Sequence, residues 1–180
     1  MKTLLISTCN NALSDREFVF PISQILGENK HDILYFEDCS NEIISKYNRL
    51  IICGTSLQDS VYVNRLPFFD TLLKNFEGPI LGICSGMQIL TSIFGISGII
   101  DNVEIGMVEV RTLKPNKLFD GNFQAYNLHN HSVRDCDNFI VLANSENSIQ
   151  AVKHVCKDIY GILFHPEVRN EEIVSNFMLI

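Results

Sequence analysis

Short apolar runs alternate with helical patterns through the first half of the chain. Lys2–Ser7 reads as a β-strand, and Arg16–Leu26 has helical periodicity in which Pro21 kinks the helix or delays its start. Asp32–Phe36 is a second predicted strand, Asn41–Lys46 a short helix, and Leu50–Cys53 a third strand ending at Gly54. Leu66–Phe76 is helical and is stopped by Gly78-Pro79; Ile80–Ile83 is a fourth strand with a helix, Gly86–Phe94, directly behind it. Strand–helix alternation of this kind predicts an α/β fold built on a mostly parallel sheet with helices on both faces. Beyond Gly95 the pattern becomes strand-like, in VEIGMVEVRTL, FQAYNLHNHSV, FIVLANS and IQAVKHV, which predicts a small antiparallel β patch beside the main sheet. Ile159–Phe164 returns as a buried strand and Glu171–Leu179 closes the chain as a helix. With no repeat, low-complexity tract or linker, residues 1–180 read as a single domain.

Some residues have structural readings. Phe68, Phe69, Phe76 and Phe94 are expected in the core. Asp15-Arg16-Glu17 is expected at a helix start, and Asn170-Glu171-Glu172 in a charged first helical turn.

Composition narrows the function. A 46% hydrophobic, 19% charged chain is globular rather than disordered. The net charge of −7 argues against a nucleic-acid backbone as partner, which needs a basic surface. No apolar run is long enough to span a membrane, and the start of the chain lacks the apolar core of a signal peptide. The six cysteines are scattered, with no CxxC pair, so reduced thiols and a cytoplasmic location are expected. Neither G-x-x-x-x-G-K-[ST] nor G-x-G-x-x-G occurs, so no phosphate-cradling loop is expected and no cofactor is implied.

The segment Pro79-Ile-Leu-Gly82-Ile-Cys84-Ser-Gly86-Met-Gln88 carries the most chemistry. An apolar strand enters Gly-x-Cys-x-Gly and leaves as a helix, the cysteine form of a nucleophile elbow. The turn exposes Cys84 under backbone strain, and the helix N-terminus offers it unpaired N–H groups and positive potential, surroundings suited to a thiolate. The N–H of Ser85 is placed to stabilise an oxyanion. Ser85 cannot itself be the elbow nucleophile, because its flanking elbow positions are Ile83 and Met87. Taken alone, the elbow is also compatible with a structural cysteine at a strand end.

Far downstream, Tyr160-Gly-Ile-Leu-Phe164 delivers His165-Pro166-Glu167. A thiol nucleophile needs a base, and the base needs a third group to fix its tautomer. In extended chain His165 and Glu167 share a side, and Pro166 disfavours helix at His165. A lone His-Pro-Glu would be an ordinary strand end; together with a cysteine elbow it suggests a Cys84–His165–Glu167 triad.

With these motifs the sequence resembles the class I, triad-type glutamine amidotransferase domain: GICSGMQ matches G-x-C-x-G-x-Q, and FHPEV matches F-H-P-E. The stretch VKHVCKDIYGILFHPEV resembles most the glutaminase subunits of two-chain GMP synthases. The resemblance implies hydrolysis of the glutamine side-chain amide through a Cys84 thioester, with ammonia passing to a separate ATP-dependent synthetase. It also implies that Gln88 contacts substrate. Two segments depart from the family pattern. After the third strand, Cys53-Gly54-Thr55-Ser56-Leu57 keeps Gly54 but has Thr55 where a second glycine is usual, in the loop that donates an oxyanion N–H. Asn127-Leu-His129-Asn130-His131-Ser132-Val133 matches the family's N-H-G-F or Y-H-S-L segments in a register that puts Asn130, His131, Ser132 and Val133 at the glutamine pocket, while its S-H-x-D variant favours His129. His129 and His131 share a strand face but lack a third and fourth ligand for zinc. A stand-alone γ-glutamyl hydrolase and a non-catalytic relative are the competing readings.

Overall fold

The structure, a computed structural model, describes residues 1–95, 98–134 and 136–180. In chain order its elements are β1 (Thr3–Ser7), α1 (Ala12–Phe18), α2 (Phe20–Leu26), β2 (His31–Tyr35), α3 (Asn41–Ile44), β3 (Arg49–Ile52), α4 (Leu66–Leu73), β4 (Ile80–Ile83), α5 (Ser85–Phe94), β5 (Gly98–Thr112), β6 (Phe123–Arg134), β7 (Phe139–Asn144), β8 (Ile149–His154), β9 (Ile159–Ile162) and α6 (Glu172–Phe177). A 3-10 turn, Val61–Arg65, leads into α4.

The nine strands form one sheet in the order β2-β1-β3-β4-β9-β8-β7-β5-β6. From β2 to β9 every ladder is parallel, and from β9 to β6 every ladder is antiparallel. The α/β class and the helices on both faces match expectation, but the sheet is mixed rather than mostly parallel. What read as a small antiparallel patch is half of the sheet's ladders and contains its two longest strands, β5 and β6. The two halves are continuous because β9 pairs parallel with β4 on one side and antiparallel with β8 on the other.

β1, β3, β4 and β9 are buried at every residue, which is why they appear in the sequence as unbroken apolar runs. Their side chains alternate between two cores. Leu5, Ile51 and Leu81 pack with Phe18, Ile22, Leu26, Ile173 and Phe177 on the face covered by α1, α2 and α6. Leu4, Ile52 and Ile80 pack with Phe69, Leu72, Ile89 and Leu90 on the face covered by α4 and α5. Phe69 and Phe76 are buried as expected, while Phe68 and Phe94 only cover the edge of this second core.

The helical pattern around Pro21 resolves into two helices. The first breaks at Val19, and Pro21 sits in the first turn of the second, where its missing N–H costs nothing. The cap of α1 is Asn11, whose side chain accepts from the N–H groups of Leu13 and Ser14. Asp15 instead accepts a hydrogen bond from Ser7 Oγ at 2.5 Å, tying α1 to the end of β1.

Replacing Ile51 by alanine deletes apolar volume at the centre of the parallel half, and equilibrium urea unfolding is expected to show a loss of about 2–5 kcal/mol. Val103→Ala, on the exposed face of β5, should stay within about 0.5 kcal/mol of wild type in the same measurement.

Candidate active site

The ends of β3, β4 and β9 and the middle of β6 converge on Cys84. The residue sits between β4 and α5 at φ 50°, ψ −105°, a strained conformation for a side chain with a Cβ. Its N–H donates to the carbonyl of Ile162 on β9 at 2.8 Å, fixing the turn. A Cβ on Gly86 would fall 2.4 Å from the carbonyl oxygen of Ile52, so only glycine lets α5 start this close to β3. As N-terminal neighbour of a ten-residue helix, Cys84 faces N–H groups with no intrahelical acceptor, that of Ser85 among them. The thiol donates to the carbonyl of Leu128 on β6 at 3.8 Å. The Ser85 hydroxyl is buried and bound to the carbonyl of Cys53 and to Thr8, so its part in any chemistry is through its backbone.

His165 follows β9 and is fully buried. Its N–H donates to the carbonyl of Tyr126 at 2.8 Å, its Nδ1 lies 2.7 Å from Glu167 Oε1, and Phe18 packs on its ring with centroids 5.2 Å apart. With Nδ1 taken by Glu167, the buried Nε2 has no hydrogen-bond partner and is the nitrogen left to exchange a proton with the neighbouring thiol. Burial by itself would depress the imidazole's pKa, but the Glu167 carboxylate and Cys84 outweigh burial and hold it well above the ordinary histidine range. The geometry therefore combines a strained thiol, an imidazole on which a positive charge is stabilised, and a carboxylate that orients that imidazole.

Gly54 packs directly against this pair: a Cβ there would lie 2.7 Å from His165 Cε1 and 3.3 Å from the Cys84 Cβ. Thr55 does not adopt a positive φ, and its hydroxyl donates to Asp59 Oδ2 at 2.7 Å. The loop is thus held by its own side chains and not by a left-handed turn.

A pocket opens at Cys84, lined by Thr55, Leu57, Tyr62, Gln88, Leu128 and Asn130 among others. It has about 20 Å³ of free space, room for about one water molecule. Gln88 lies on its wall with both amide ends engaged: Nε2 donates to the carbonyl of His131 at 2.8 Å, and Oε1 accepts from the hydroxyl of Tyr62 at 2.5 Å. Asn130 Nδ2 donates to the carbonyl of Leu57 at 2.9 Å, bridging β6 to the loop. His131 lines the pocket, with its imidazole on Asp101. Ser132 and Val133 lie outside the pocket lining: Ser132 accepts from Asn102, and Val133 is packed in the core on the α4–α5 face. His129 also lines the pocket, but its imidazole is turned to Asn102 and Glu104. Among the described residues no group of three or more His, Cys, Asp or Glu side chains is arranged to hold a metal. Tyr62 and Asp59 went unnoticed in the sequence, since each is a single polar residue in a stretch without periodicity.

The profile of the family "Glutamine amidotransferase class-I" matches residues 17–178, and the chain belongs to that family. A glutamine-hydrolysing GMP synthase subunit of Methanosphaera stadtmanae is 39% identical over 136 residues, covering 69% of this chain and 72% of that protein. The glutamine-hydrolysing GMP synthase of Borreliella burgdorferi is 37% identical over 132 residues, 66% of this chain but only 25% of that longer protein. Among solved structures, a GMP synthase subunit from Thermoplasma acidophilum superimposes with a TM-score of 0.86 over 99% of this chain and 92% of that one at 21% identity, which shows a shared fold.

Two outcomes follow from the contacts of His165. Gly54→Ala should leave the chain folded but displace the ring, lowering kcat about 100-fold in a steady-state glutaminase assay. Because the folded-state pKa of His165 is raised, the stability it contributes is fully present below about pH 6.5 and lost as pH rises through the folded value. Glu167→Gln removes the main group that raises it, so the ring should titrate at lower pH in an NMR titration of its Cε1 proton.

Proposed function

We propose that the chain is the glutaminase subunit of a two-subunit GMP synthase. It hydrolyses the side-chain amide of glutamine and supplies ammonia to a separate ATP-dependent synthetase. The observation that carries the reading is the strained Cys84 at the start of α5 beside the buried His165–Glu167 pair. The likeness to glutamine-hydrolysing GMP synthase subunits over most of both chains supports the choice of acceptor pathway.

In this reading the Cys84 thiolate attacks the amide carbon, forming a C–S bond and a tetrahedral oxyanion held by the N–H of Ser85 and by the Gly54–Thr55 loop. Collapse breaks the C–N bond, and His165 gives its proton to the departing nitrogen, which leaves as ammonia. His165 then takes a proton from water as it attacks the thioester, releasing glutamate and restoring the thiol. Glu167 keeps the imidazole oriented throughout. Gln88, Asn130 and His131 hold the pocket wall and bind the amino-acid end of the substrate.

A pocket with room for one water does not admit glutamine, so the loop from Thr55 to Tyr62 has to move before turnover. Its ties to Asn130 and Gln88 oppose that movement, and the bond from Thr55 to Asp59 stiffens the loop itself. The isolated chain is therefore expected to hydrolyse glutamine slowly, and docking of the synthetase with its substrates to raise kcat by favouring the open loop. Equal rates for the isolated chain and the complex would favour a stand-alone hydrolase. A diazo-ketone analogue of glutamine should add once to the wild-type chain in intact-mass analysis and not at all to Cys84→Ala. His165→Ala should abolish nearly all turnover and Glu167→Ala should cost less, because a mispositioned imidazole remains. Labelling that persists in Cys84→Ala would exclude Cys84 as the nucleophile.

A further inference from the structure

Asp59 lies on the wall of the catalytic pocket and is only 6% exposed. Among the described residues no lysine, arginine or histidine pairs with it. A buried carboxylate without a counter-charge is costly unless donors surround it. Burial alone would raise its pKa, but the Thr55 hydroxyl, the N–H of Asn10 and the hydroxyls of Ser14 and Ser56 outweigh burial and hold it below the ordinary carboxylate range. Two of these donors, Thr55 and Ser56, belong to the loop after β3. The other two belong to the junction of β1 and α1. Asp59 therefore joins the pocket loop to a separate element of the fold, which a side chain serving only its own turn would not do.

The residue it holds most closely is the one whose main chain bears on the chemistry. Thr55 is 4% exposed, lines the pocket at Cys84 and directly follows Gly54, which packs against Cys84 and His165. The N–H of Thr55 has no acceptor among the described residues. Its direction is set from two sides. The Gly54 carbonyl, at the opposite end of the same trans peptide, accepts from the Cys9 thiol at 3.7 Å, so the Thr55 N–H points away from Cys9. The Thr55 hydroxyl donates to Asp59 Oδ2 at 2.7 Å, which opposes rotation of the residue about that peptide. We propose that Asp59 is a positioning residue of the hydrolysis: through the Thr55 hydroxyl it aims the Thr55 N–H at the oxyanion that forms at Cys84, and through Asn10 and Ser14 it fixes that aim to the start of α1. The role rests on the glutaminase reading. It makes Thr55 the fixed end of the loop when the loop moves to admit substrate.

The test measures glutamine hydrolysis by the chain with the synthetase and its substrates present, beside the rate at which iodoacetamide alkylates Cys84, read by peptide mass. Alkylation displaces iodide from a saturated carbon and builds no oxyanion, so it reports the thiol and its imidazole alone. Asp59→Asn keeps the size of the side chain but turns an amide N–H₂ toward groups that are themselves donors. It should lower kcat about 10- to 100-fold, less than the loss of an oxyanion donor outright, with KM and the alkylation rate within about twofold of wild type. Thr55→Val removes the hydroxyl and should lower kcat by a similar factor, whereas Thr55→Ser keeps it and should recover most of the loss. The double variant Thr55→Val, Asp59→Asn should be no slower than Thr55→Val, because Asp59 acts through that hydroxyl. If Asp59→Asn does not fold, Thr55→Val against Thr55→Ser decides. An unchanged kcat in Asp59→Asn, a kcat raised by loss of the negative charge, losses that add in the double variant, or alkylation that falls in step with kcat overturns the role. A wild-type complex that hydrolyses no glutamine refutes the glutaminase reading and the role with it; wild-type hydrolysis that persists undiminished in Asp59→Asn refutes the role alone.

Discussion

The parallel pairing of β4 with β9 is the constraint on which the meeting of Cys84 and His165 depends. Register places Ile83 opposite Ile162, so the chain leaves β4 at Cys84 and continues past β9 to His165 from neighbouring points at the same end of the sheet. The Cys84 N–H is bound to Ile162, so the strained turn is held by the strand that leads to His165. Strain of this kind, on the order of 1–3 kcal/mol, persists only where the surroundings over-determine it. Here they do: α5 packs on β3 without room for a side chain at Gly86, and the two cores grip alternate residues of each strand from both sides.

β6 links the two halves of the molecule. Its main chain holds His165 and Cys84, through the Tyr126 carbonyl that receives His165 N–H and the Leu128 carbonyl beside the thiol. Its side chains are shared out by the pleat. Asn130 reaches the pocket loop, while Asn127 and His129 meet Glu104 on β5. A register shift in the β5–β6 ladder between Asp101 and Glu104 sets which residues of β5 face that network.

Much of this was legible in the sequence, for reasons that differ by region. The parallel strands were readable because burial on both faces leaves uninterrupted apolar runs, and the neighbourhood of Cys84, His165 and Glu167 because each half is a local motif, an elbow and a His-Pro-Glu strand exit. The extent of the antiparallel half was not readable. Its strands could be recognised, but β5 joins β7 through only Arg111–Asn144 and Thr112–Ala143, a long-range pairing without a sequence signature. The cap of α1 was misplaced onto Asp15 because Asn11 and Asp15 are both good capping residues a few positions apart, and only the backbone at Asn11 decides between them. Asn130 meets the loop through the carbonyl of Leu57, and Gln88's commitments to Tyr62 and His131 depend on a 3-10 turn that no periodicity announces. Glu104 carries no sequence signal of its own; its hydrogen bonds come from Asn127 on β6, Ser145 just past β7 and Gln150 on β8.

Because Cys84 and His165 lie on adjacent strands with the whole antiparallel half between them in the chain, they cannot meet until that half has folded and β9 has inserted next to β4. Such non-local insertion is slow compared with formation of local helices and hairpins. During synthesis the elbow emerges long before His165, and a chain that stops short of it has the thiol without the imidazole. The joined site is therefore withheld from incomplete chains by topology alone: no unfinished copy can bring this thiol and this imidazole together.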